Sequence, residues 1–243
     1  MLVSATVLRP GQKLTQTETD SVHKKLLFFV TEDWYFVSHR LPLAIAAKNA
    51  GYNVGVVTHV RQCGQIIRDA GLTIIHFEIS RSGMNPLREL LSLARLMVIF
   101  FRERPHVAHN VAMKPVLYGG IAARLVGVPQ VVNAIAGMGW LFTSNAGLAR
   151  WLNPLVRRWL RWALGKTGIA LVQNADDAQL LLRLRVPASR IRVIAGSGVD
   201  LEKFHVMPES VTTPVVLFPS RLLWDKGIAE FVAAARTIKQ RGV

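Results

Sequence analysis

The chain has 243 residues, of which 51% are hydrophobic and 19% charged, and its 30 Lys and Arg against 15 Asp and Glu give a formal net charge of +15. This apolar content excludes an intrinsically disordered chain, because disordered chains have too few apolar residues to form a core. The single cysteine, Cys63, excludes an intrachain disulfide and a metal site built from several cysteines.

No segment has the composition of a membrane-spanning helix, which needs about 20 predominantly apolar residues. The longest uncharged run, residues 125–149, is interrupted by glycines, Pro129 and several amide side chains. The most apolar run, residues 90–101, is too short and contains Arg95. The apolar stretch over residues 2–8 is also a poor signal peptide. We therefore expect a soluble or peripheral membrane protein.

Short apolar runs alternate with amphipathic segments along most of the chain. After a polar, aperiodic tail over residues 1–22, strands are predicted at residues 25–31, 53–58, 72–78, 106–110, 130–135, 169–173 and 191–194. Helices are predicted at residues 39–50, 61–70, from 86, 115–126, 153–164 and 174–183. Strands that alternate with helices form parallel βαβ units. The sequence thus predicts an α/β domain with a doubly wound, Rossmann-like parallel sheet over residues 23–207.

The C-terminal part follows a different pattern. Residues 208–214 have the composition of a connector, and a predicted strand at 215–219 and a predicted helix at 228–241 follow it. A single βα unit cannot bury its own apolar faces. We therefore predict that residues 208–243 are a connector and the first βα unit of a second, truncated Rossmann-like domain.

The positive charge is concentrated in one region. Between residues 81 and 192 there are 16 Lys and Arg and 4 Asp and Glu, a net charge of 16 − 4 = +12. The predicted helix from residue 86 places Arg88, Arg95 and Arg102 along one side. The predicted helix at 153–164 places Trp and Leu opposite Arg. Its candidates for membrane contact are Arg157, Arg158, Trp159, Arg161 and Trp162.

Two interpretations of these basic helices are open. Trp and Leu opposite Arg is typical of a helix that lies on an anionic bilayer surface. The same pattern is produced by an ordinary amphipathic helix whose apolar face packs on its own sheet. Nucleic acid is not favoured as a partner, because the chain has no zinc-finger spacing, glycine-aromatic RNA motif or basic arm.

Four segments of the chain, in the same order, resemble a known family. They are Ser38-His-Arg-Leu-Pro-Leu-Ala, His109 with Lys114-Pro-Val-Leu-Tyr-Gly-Gly-Ile-Ala-Ala-Arg, Gly196-Ser-Gly-Val-Asp with Phe204, and Ser220-Arg-Leu-Leu-Trp-Asp-Lys-Gly. Through them the chain resembles the N-terminal part of the nucleotide-sugar-dependent glycosyltransferases of family 4. The resemblance implies the GT-B architecture of two facing Rossmann-like domains.

The last of these segments, residues 220–227, contains residue types that suit the chemistry of sugar transfer. A leaving diphosphate gains negative charge as the glycosidic bond breaks, and positioned cations lower that barrier. By the resemblance, Arg221 and Lys226 bind the donor diphosphate, Arg as a planar fork and Lys as a point charge. From the residues alone, a solvated loop with two basic side chains is the alternative.

Other candidate site residues follow the predicted strands. His109 ends the fourth strand, at the edge where ligands bind in open α/β sheets. Its imidazole can accept a hydroxyl proton, hydrogen-bond the transferred sugar or have a structural role. The predicted cleft-lining residues are Gly137, Gly139, Gly198 and Asp200, of which the first two permit close backbone approach to a substrate. The other histidines lack metal-ligand spacing, and we expect no metal.

Together these features predict a glycosyltransferase that uses a nucleotide sugar as co-substrate and needs no cofactor. Its acceptor is expected to be lipid-linked, at the cytoplasmic face of a membrane. The family's second domain carries a paired-glutamate motif that is missing here, so we expect a truncated enzyme. The alternative is a non-catalytic half-enzyme, either an inactive remnant or one subunit of a split enzyme whose donor domain lies on a separate chain. A nucleotide-sugar epimerase is less favoured, because the acid and base carboxylates that it needs are sparse.

Overall fold

The computed structural model describes residues 24–79, 86–135, 158, 160–164, 168–208, 215–220, 222 and 224–242. The chain divides into two compact units, residues 1–198 and residues 199–243. The predicted domain boundary at 207/208 therefore lies nine residues beyond the division between these units.

The first unit is built on a single parallel sheet. Its seven strands are β1 (Lys25–Glu32), β2 (Asn53–His59), β3 (Thr73–His76), β4 (Val107–Val111), β5 (Gln130–Ile135), β6 (Gly168–Val172) and β7 (Ile191–Val193). They lie in the order β3-β2-β1-β4-β5-β6-β7, and every neighbouring pair is parallel. The predicted doubly wound, Rossmann-like fold class is confirmed, and the strand order reverses between β1 and β4.

The strands form where the sequence is continuously apolar. In β1, all residues from Leu26 to Thr31 are buried, as expected for a central strand that is covered on both faces. The register places Phe28 beside Val56 of β2 on one side and His109 of β4 on the other. His109 is therefore a neighbour of the buried aromatic centre of the sheet.

Helices cover both faces of this sheet. Besides a helical stretch at residues 160–164, the helices described in the first unit are α1 (Asp33–His39), α2 (Leu41–Asn49), α3 (Gly64–Asp69), α4 (Pro86–Glu103), α5 (Met113–Val126) and α6 (Ala175–Arg183). One core cluster joins Phe36, Ala44 and Ile67 of the first three helices to the sheet. A second joins Leu96 and Phe100 of α4 with α5 to the opposite face. A third lies around β6 and α6.

The predicted helix over residues 39–50 is wrong at its start. The structure has two helices there, α1 and α2, which meet at Arg40 with φ −132° and ψ −14°. Pro42 explains the break, because its ring and missing N–H prevent a helix from continuing through it from the preceding turn. The aromatic residues before His39 suggested no helix, yet α1 buries Phe36 completely.

Asp33, the first residue of α1, has a fully buried side chain that ties α1 to the loop after β2. Its Oδ2 accepts the backbone N–H groups of Arg61, Gln62 and Cys63 at 2.7, 2.9 and 2.8 Å, and its Oδ1 accepts that of Trp34 at 2.8 Å. Burial alone would raise the pKa of this carboxyl, but these four N–H donors outweigh burial and lower its pKa overall. Asp33 is therefore a charged group that organises local structure.

Helix α5 packs very closely on β4 through Gly119. A Cβ atom at this position would lie 2.0 Å from Oδ1 of Asn110, a side chain that is fully buried. Asn110 Nδ2 in turn donates to Asn133 Oδ1 at 2.9 Å, across the β4–β5 pair. The glycine is therefore required by a buried amide pair in the sheet.

The second unit contains a connector and the helix α7 (Ile228–Gln240). The predicted strand at residues 215–219 is wrong: these residues have no regular secondary structure and belong to no ladder. A strand requires a hydrogen-bonded neighbour, and the described part of this unit supplies none. Phe218 contacts Phe231 of α7, with 5.1 Å between the ring centroids.

Among the residues that the structure describes, no helix is both long and apolar enough to cross a bilayer.

Candidate active site

A cleft of about 290 Å³ opens at the carboxyl ends of the central strands. The strand order reverses between β1 and β4, and doubly wound sheets bind their ligands at the carboxyl edge beside such a reversal. The start of α2, His109 of β4, the ends of β5 and β6 and the loop after β7 form its walls. The lining residues are Ser38, His39, Arg40, Pro42, Leu43, His109, Ala134, Ile135, Leu171, Val172, Gln173, Ile194, Gly196, Ser197 and Gly198.

His109 lies in the wall of this cleft and is only 6% exposed. Its ring stacks on Phe28 with 4.8 Å between centroids. Burial, with a smaller contribution from the nearby Arg40 cation, lowers the pKa of His109 to about 3. The imidazole is therefore neutral at physiological pH. This makes it a poor general base and suits it to hydrogen bonding with a ligand.

Arg40 is a site residue that the sequence reasoning did not single out, although it lies in the Ser38-His-Arg segment. It stands at the junction of α1 and α2, and its Nη1 donates to the His39 carbonyl at 3.1 Å and to Ser197 Oγ at 3.2 Å. The Ser197 contact spans 157 positions of the chain, so spacing could not reveal it. The signal available was the basic residue directly before a helix start.

The backbone is strained where β4 passes into α5. Ala112 has φ 77° and ψ 165°, a region that is populated almost entirely by glycine. Its N–H donates to the carbonyl of Ala134, a cleft residue, at 2.9 Å. Strain of this kind is commonly found beside functional sites.

We expect Ala112→Gly to raise the free energy of unfolding by about 1 kcal/mol, because relief of strain exceeds the entropic cost of glycine. Ala94→Gly, on the exposed face of α4, is the control and should lower it by about 1 kcal/mol. Urea unfolding of both variants measures the difference. A loss at Ala112 that equals the loss at Ala94 would show that Ala112 is not strained.

The structure places the other predicted site residues in different parts of the chain. Gly198 lines the cleft, whereas Asp200 and Lys226 belong to the second unit. The Asp200 carboxylate accepts the N–H groups of Glu202 and Lys203, and Lys226 is exposed at the end of a short 3-10 turn before α7. Their predicted roles stay predictions. Gly137, Gly139, Arg157, Trp159 and Arg221 lie outside the described residues.

The described part of the Trp/Arg segment packs partly on its own protein. Residues 160–164 are helical, and Leu160 and Leu164 are buried in the cluster around β6. Trp162 is 37% exposed and lies under the Arg124 guanidinium, 4.8 Å from the ring centroid. Arg158 and Arg161 are exposed. One part of the predicted apolar face is thus used for the core, which leaves the exposed side for any membrane contact.

The outer side of α4 has the stronger amphipathic surface. It consists of five exposed apolar side chains and a parallel row of three arginines, and we call it the α4 surface. Its residues are Leu87, Leu90, Leu91, Val98 and Phe101 with Arg88, Arg95 and Arg102. The apolar members are 48–73% exposed, while Leu96 and Phe100 on the inner side are fully buried.

In the described part of the chain, no three His, Cys, Asp or Glu side chains cluster as metal ligands would.

A doubly wound sheet with a cleft at the carboxyl ends of its strands defines a ligand-binding Rossmann-like domain. The chain belongs to the glycosyl transferase 4-like family, whose sequence profile matches residues 25–172. This range includes β1 to β6, and with them His109 and Arg40. The resemblance found in the sequence is confirmed.

Two curated relatives are transferases that act on lipid-linked sugars by name. The N,N'-diacetylbacillosaminyl-diphospho-undecaprenol alpha-1,3-N-acetylgalactosaminyltransferase of Campylobacter jejuni is 24% identical over 215 residues, covering 83% of this chain and 57% of that protein. The UDP-Gal:alpha-D-GlcNAc-diphosphoundecaprenol alpha-1,3-galactosyltransferase of Escherichia coli is 32% identical over 120 residues, covering 49% of this chain and 30% of that protein. The chain thus spans 57% of the length of the first relative and 30% of the length of the second.

Solved structures share the fold at low sequence identity. Anabaena HepE in complex with UDP-glucose matches with a TM-score of 0.52 and 12% identity, over 76% of this chain and 47% of that one. A UDP-N-acetylglucosamine 2-epimerase matches with a TM-score of 0.52 and 16% identity, over 70% and 48%. Since an epimerase has the same fold, fold likeness alone does not select the chemistry. The family match favours glycosyl transfer.

Proposed function

We propose that this chain is the acceptor-side part of a glycosyltransferase that transfers a sugar from a nucleotide sugar to a lipid-linked acceptor bound at a membrane surface. The observation that carries the proposal is the family match over β1 to β6, together with two relatives whose names both specify a diphosphoundecaprenol-linked acceptor. The cleft at the carboxyl ends of β4 to β6 is the acceptor site in this proposal.

The residues divide the chemistry between them. His109, neutral and buried in the cleft wall, hydrogen-bonds the transferred sugar or the acceptor hydroxyl. Arg221 and Lys226 stabilise the charge that develops on the donor diphosphate. A leaving phosphate oxygen takes the acceptor's proton, which removes the need for a strong protein base. We propose that the nucleotide sugar is a co-substrate and that no metal takes part.

Two features support contact with an anionic membrane. The α4 surface combines apolar side chains that can enter the acyl boundary with arginines that attract anionic lipid headgroups. Its N-terminal end lies beside the start of α5, because Lys114 Nζ of α5 contacts Glu89 Oε1 of α4 at 2.8 Å. The start of α5 is at the carboxyl edge of the sheet, on which the cleft also opens. A bilayer on this surface would therefore present lipid-linked sugars near the cleft. We propose a peripheral location at the cytoplasmic face.

Flotation with anionic liposomes tests the membrane contact. We expect the triple variant Arg88→Glu, Arg95→Glu and Arg102→Glu to bind at least about 100-fold more weakly, since each basic residue near the surface contributes roughly 1 kcal/mol. The same triple change at Arg157, Arg158 and Arg161 tests the Trp/Arg segment and should also weaken binding.

The matched control changes Arg68, Arg183 and Arg185 to Glu, which alters the net charge equally at exposed sites on α3 and at the end of α6. This control should float almost like the unchanged protein. An equal loss in the control and the α4 variant would mean that net charge, and not the α4 surface, causes binding.

Transfer of label from a panel of radiolabelled nucleotide sugars into extractable membrane lipids tests the proposed activity. We expect label in the lipid fraction when the chain works together with a donor domain, either in one polypeptide or supplied by a second chain. Co-purification of a partner with a donor domain would support the split enzyme predicted as the alternative. A complete assembly that binds no nucleotide and transfers no sugar would contradict the proposal.

A further inference from the structure

Three nitrogen atoms in residues of the cleft wall are buried and lack hydrogen-bond partners among the described residues. They are Nε of Arg40, Nδ1 of His39 and Nε2 of His109. An unsatisfied buried polar atom costs free energy, and its presence in a native structure calls for an explanation. A ligand that binds in the cleft and pairs with these atoms would provide that explanation.

The charge of the cleft defines what such a ligand must carry. Arg40 is the only charged residue among the described residues that line the cleft, and none of them is acidic. Its Nη1 hydrogen bonds go to a carbonyl and a hydroxyl, which hold the guanidinium in place without neutralising it. Burial lowers the pKa of Arg40, but an arginine stays charged in a protein. The cleft therefore holds a partly desolvated cation whose natural complement is an anion.

The backbone around Arg40 adds to the positive potential. Arg40 is the N-cap of α2, a nine-residue helix, and no side chain caps its first N–H groups. The positive end of the helix dipole therefore lies at the cleft, where Pro42 and Leu43 form part of the wall. In the loop after β7, Gly196 and Gly198 adopt φ of 77° and 79°, and a Cβ atom built at either position would have no neighbour within 4 Å. A bulky anion has room there.

We propose that Arg40, His109 and the start of α2 form a binding site for a phosphoryl group. Arg40 offers Nε, with the rest of its planar fork, to two phosphoryl oxygens, and Ser197 fixes the orientation of that fork. Neutral His109 donates from Nε2 to a third oxygen. We assign this phosphoryl group to the lipid diphosphate of the acceptor, and this assignment rests on the proposed function. The donor diphosphate is the other source of the same chemistry.

Isothermal titration of the chain with inorganic pyrophosphate, in phosphate-free buffer, tests the site. We expect Arg40→Gln to weaken binding about 10- to 100-fold, because a charge-assisted pair is lost. Arg40→Lys, which keeps the charge but loses the fork, should have an intermediate effect and shows the same trend if Arg40→Gln does not fold. The matched control is Arg68→Gln, an exposed arginine on α3 that bonds Gln65, and it should bind like the unchanged chain.

Competition then identifies the source. We expect a short-chain polyprenyl diphosphate to displace pyrophosphate. If UDP displaces pyrophosphate and the polyprenyl diphosphate does not, the phosphoryl site belongs to the donor and the acceptor assignment is overturned. Unchanged pyrophosphate affinity in both Arg40 variants, or an equal loss in Arg68→Gln, would overturn the site itself. Pyrophosphate binding is measured without sugar transfer, so the two proposals can fail separately. If the assembly transfers sugar but the chain does not bind pyrophosphate, only the phosphoryl site is refuted. Binding without any transfer in the complete assembly refutes only the proposed function.

Discussion

Asp33→Ala is expected to lower the free energy of unfolding by about 3 kcal/mol, because it leaves several backbone N–H groups without an acceptor. The carboxylate accepts four such groups, three of them from the loop after β2. Without it, that loop and the start of α1 lose their common anchor. Urea unfolding at pH 7 measures the loss.

Two controls separate this anchor from general effects. Asp69→Ala removes an exposed carboxylate that accepts from Gln65, and it should change stability by less than about 0.5 kcal/mol. Asp33→Asn keeps one oxygen but not the charge. Because the pKa of Asp33 is lowered in the folded state, its ionised form stabilises the protein above the ordinary pKa near 3.8, and this advantage over Asn is lost as the pH falls through the folded pKa. Equal effects of Asp33→Ala and Asp69→Ala would contradict the anchor.

Acid is expected to destabilise the first unit through His109. The pKa of His109 is about 3 in the folded protein against 6.5 ordinarily, so the unfolded chain binds the extra proton first. Stability due to this group is complete above pH 6.5 and falls at roughly 1.4 kcal/mol per pH unit toward pH 3. Between pH 7 and pH 5 the unchanged protein should lose about 2 kcal/mol from this source.

His109→Gln removes this proton uptake, so its unfolding free energy should change less between pH 7 and pH 5 than that of the unchanged protein. His205→Gln, at an exposed position of the second unit, serves as the control and should keep the original slope. The comparison needs urea unfolding at three pH values in buffers without phosphate. Parallel slopes for the His109 variant and the unchanged protein would show that His109 is not buried as a neutral imidazole.

The sheet was predictable because its strands are continuous apolar runs, whereas the helices between them are amphipathic. Continuous burial in β1 and the glycines after α2, α3 and α5 set the boundaries within a few residues. Two predictions were wrong, and only the break at Pro42 had a signal in the local sequence. Helix α1 begins at Asp33, where distant backbone groups satisfy the carboxylate, and residues 215–219 form no strand without a neighbour.

The candidate site was predictable only in part. His109 could be found because it lies near the end of a predicted strand, although the structure places it in the middle of β4, and Gly198 could be found from its motif. Arg40 could not be identified as a site residue from the sequence, because its partner Ser197 is distant along the chain. The carboxyl ends of β5 and β6 share the cleft with Arg40 only in the folded sheet. The α4 surface was visible as a row of arginines, but which of its apolar residues are buried depends on the contact of α4 with β1 and α5.

Photocrosslinking with a short-chain polyprenyl diphosphate-linked sugar, carrying a diazirine on the sugar, tests the central claim that the cleft binds the acceptor. Mass spectrometry of the labelled chain would locate the crosslinks. We expect label on peptides that contain residues 38–43, His109 or residues 194–198, and loss of this label with excess unmodified acceptor. Label confined to α7 or to other surfaces, or label that the acceptor does not displace, would contradict this claim.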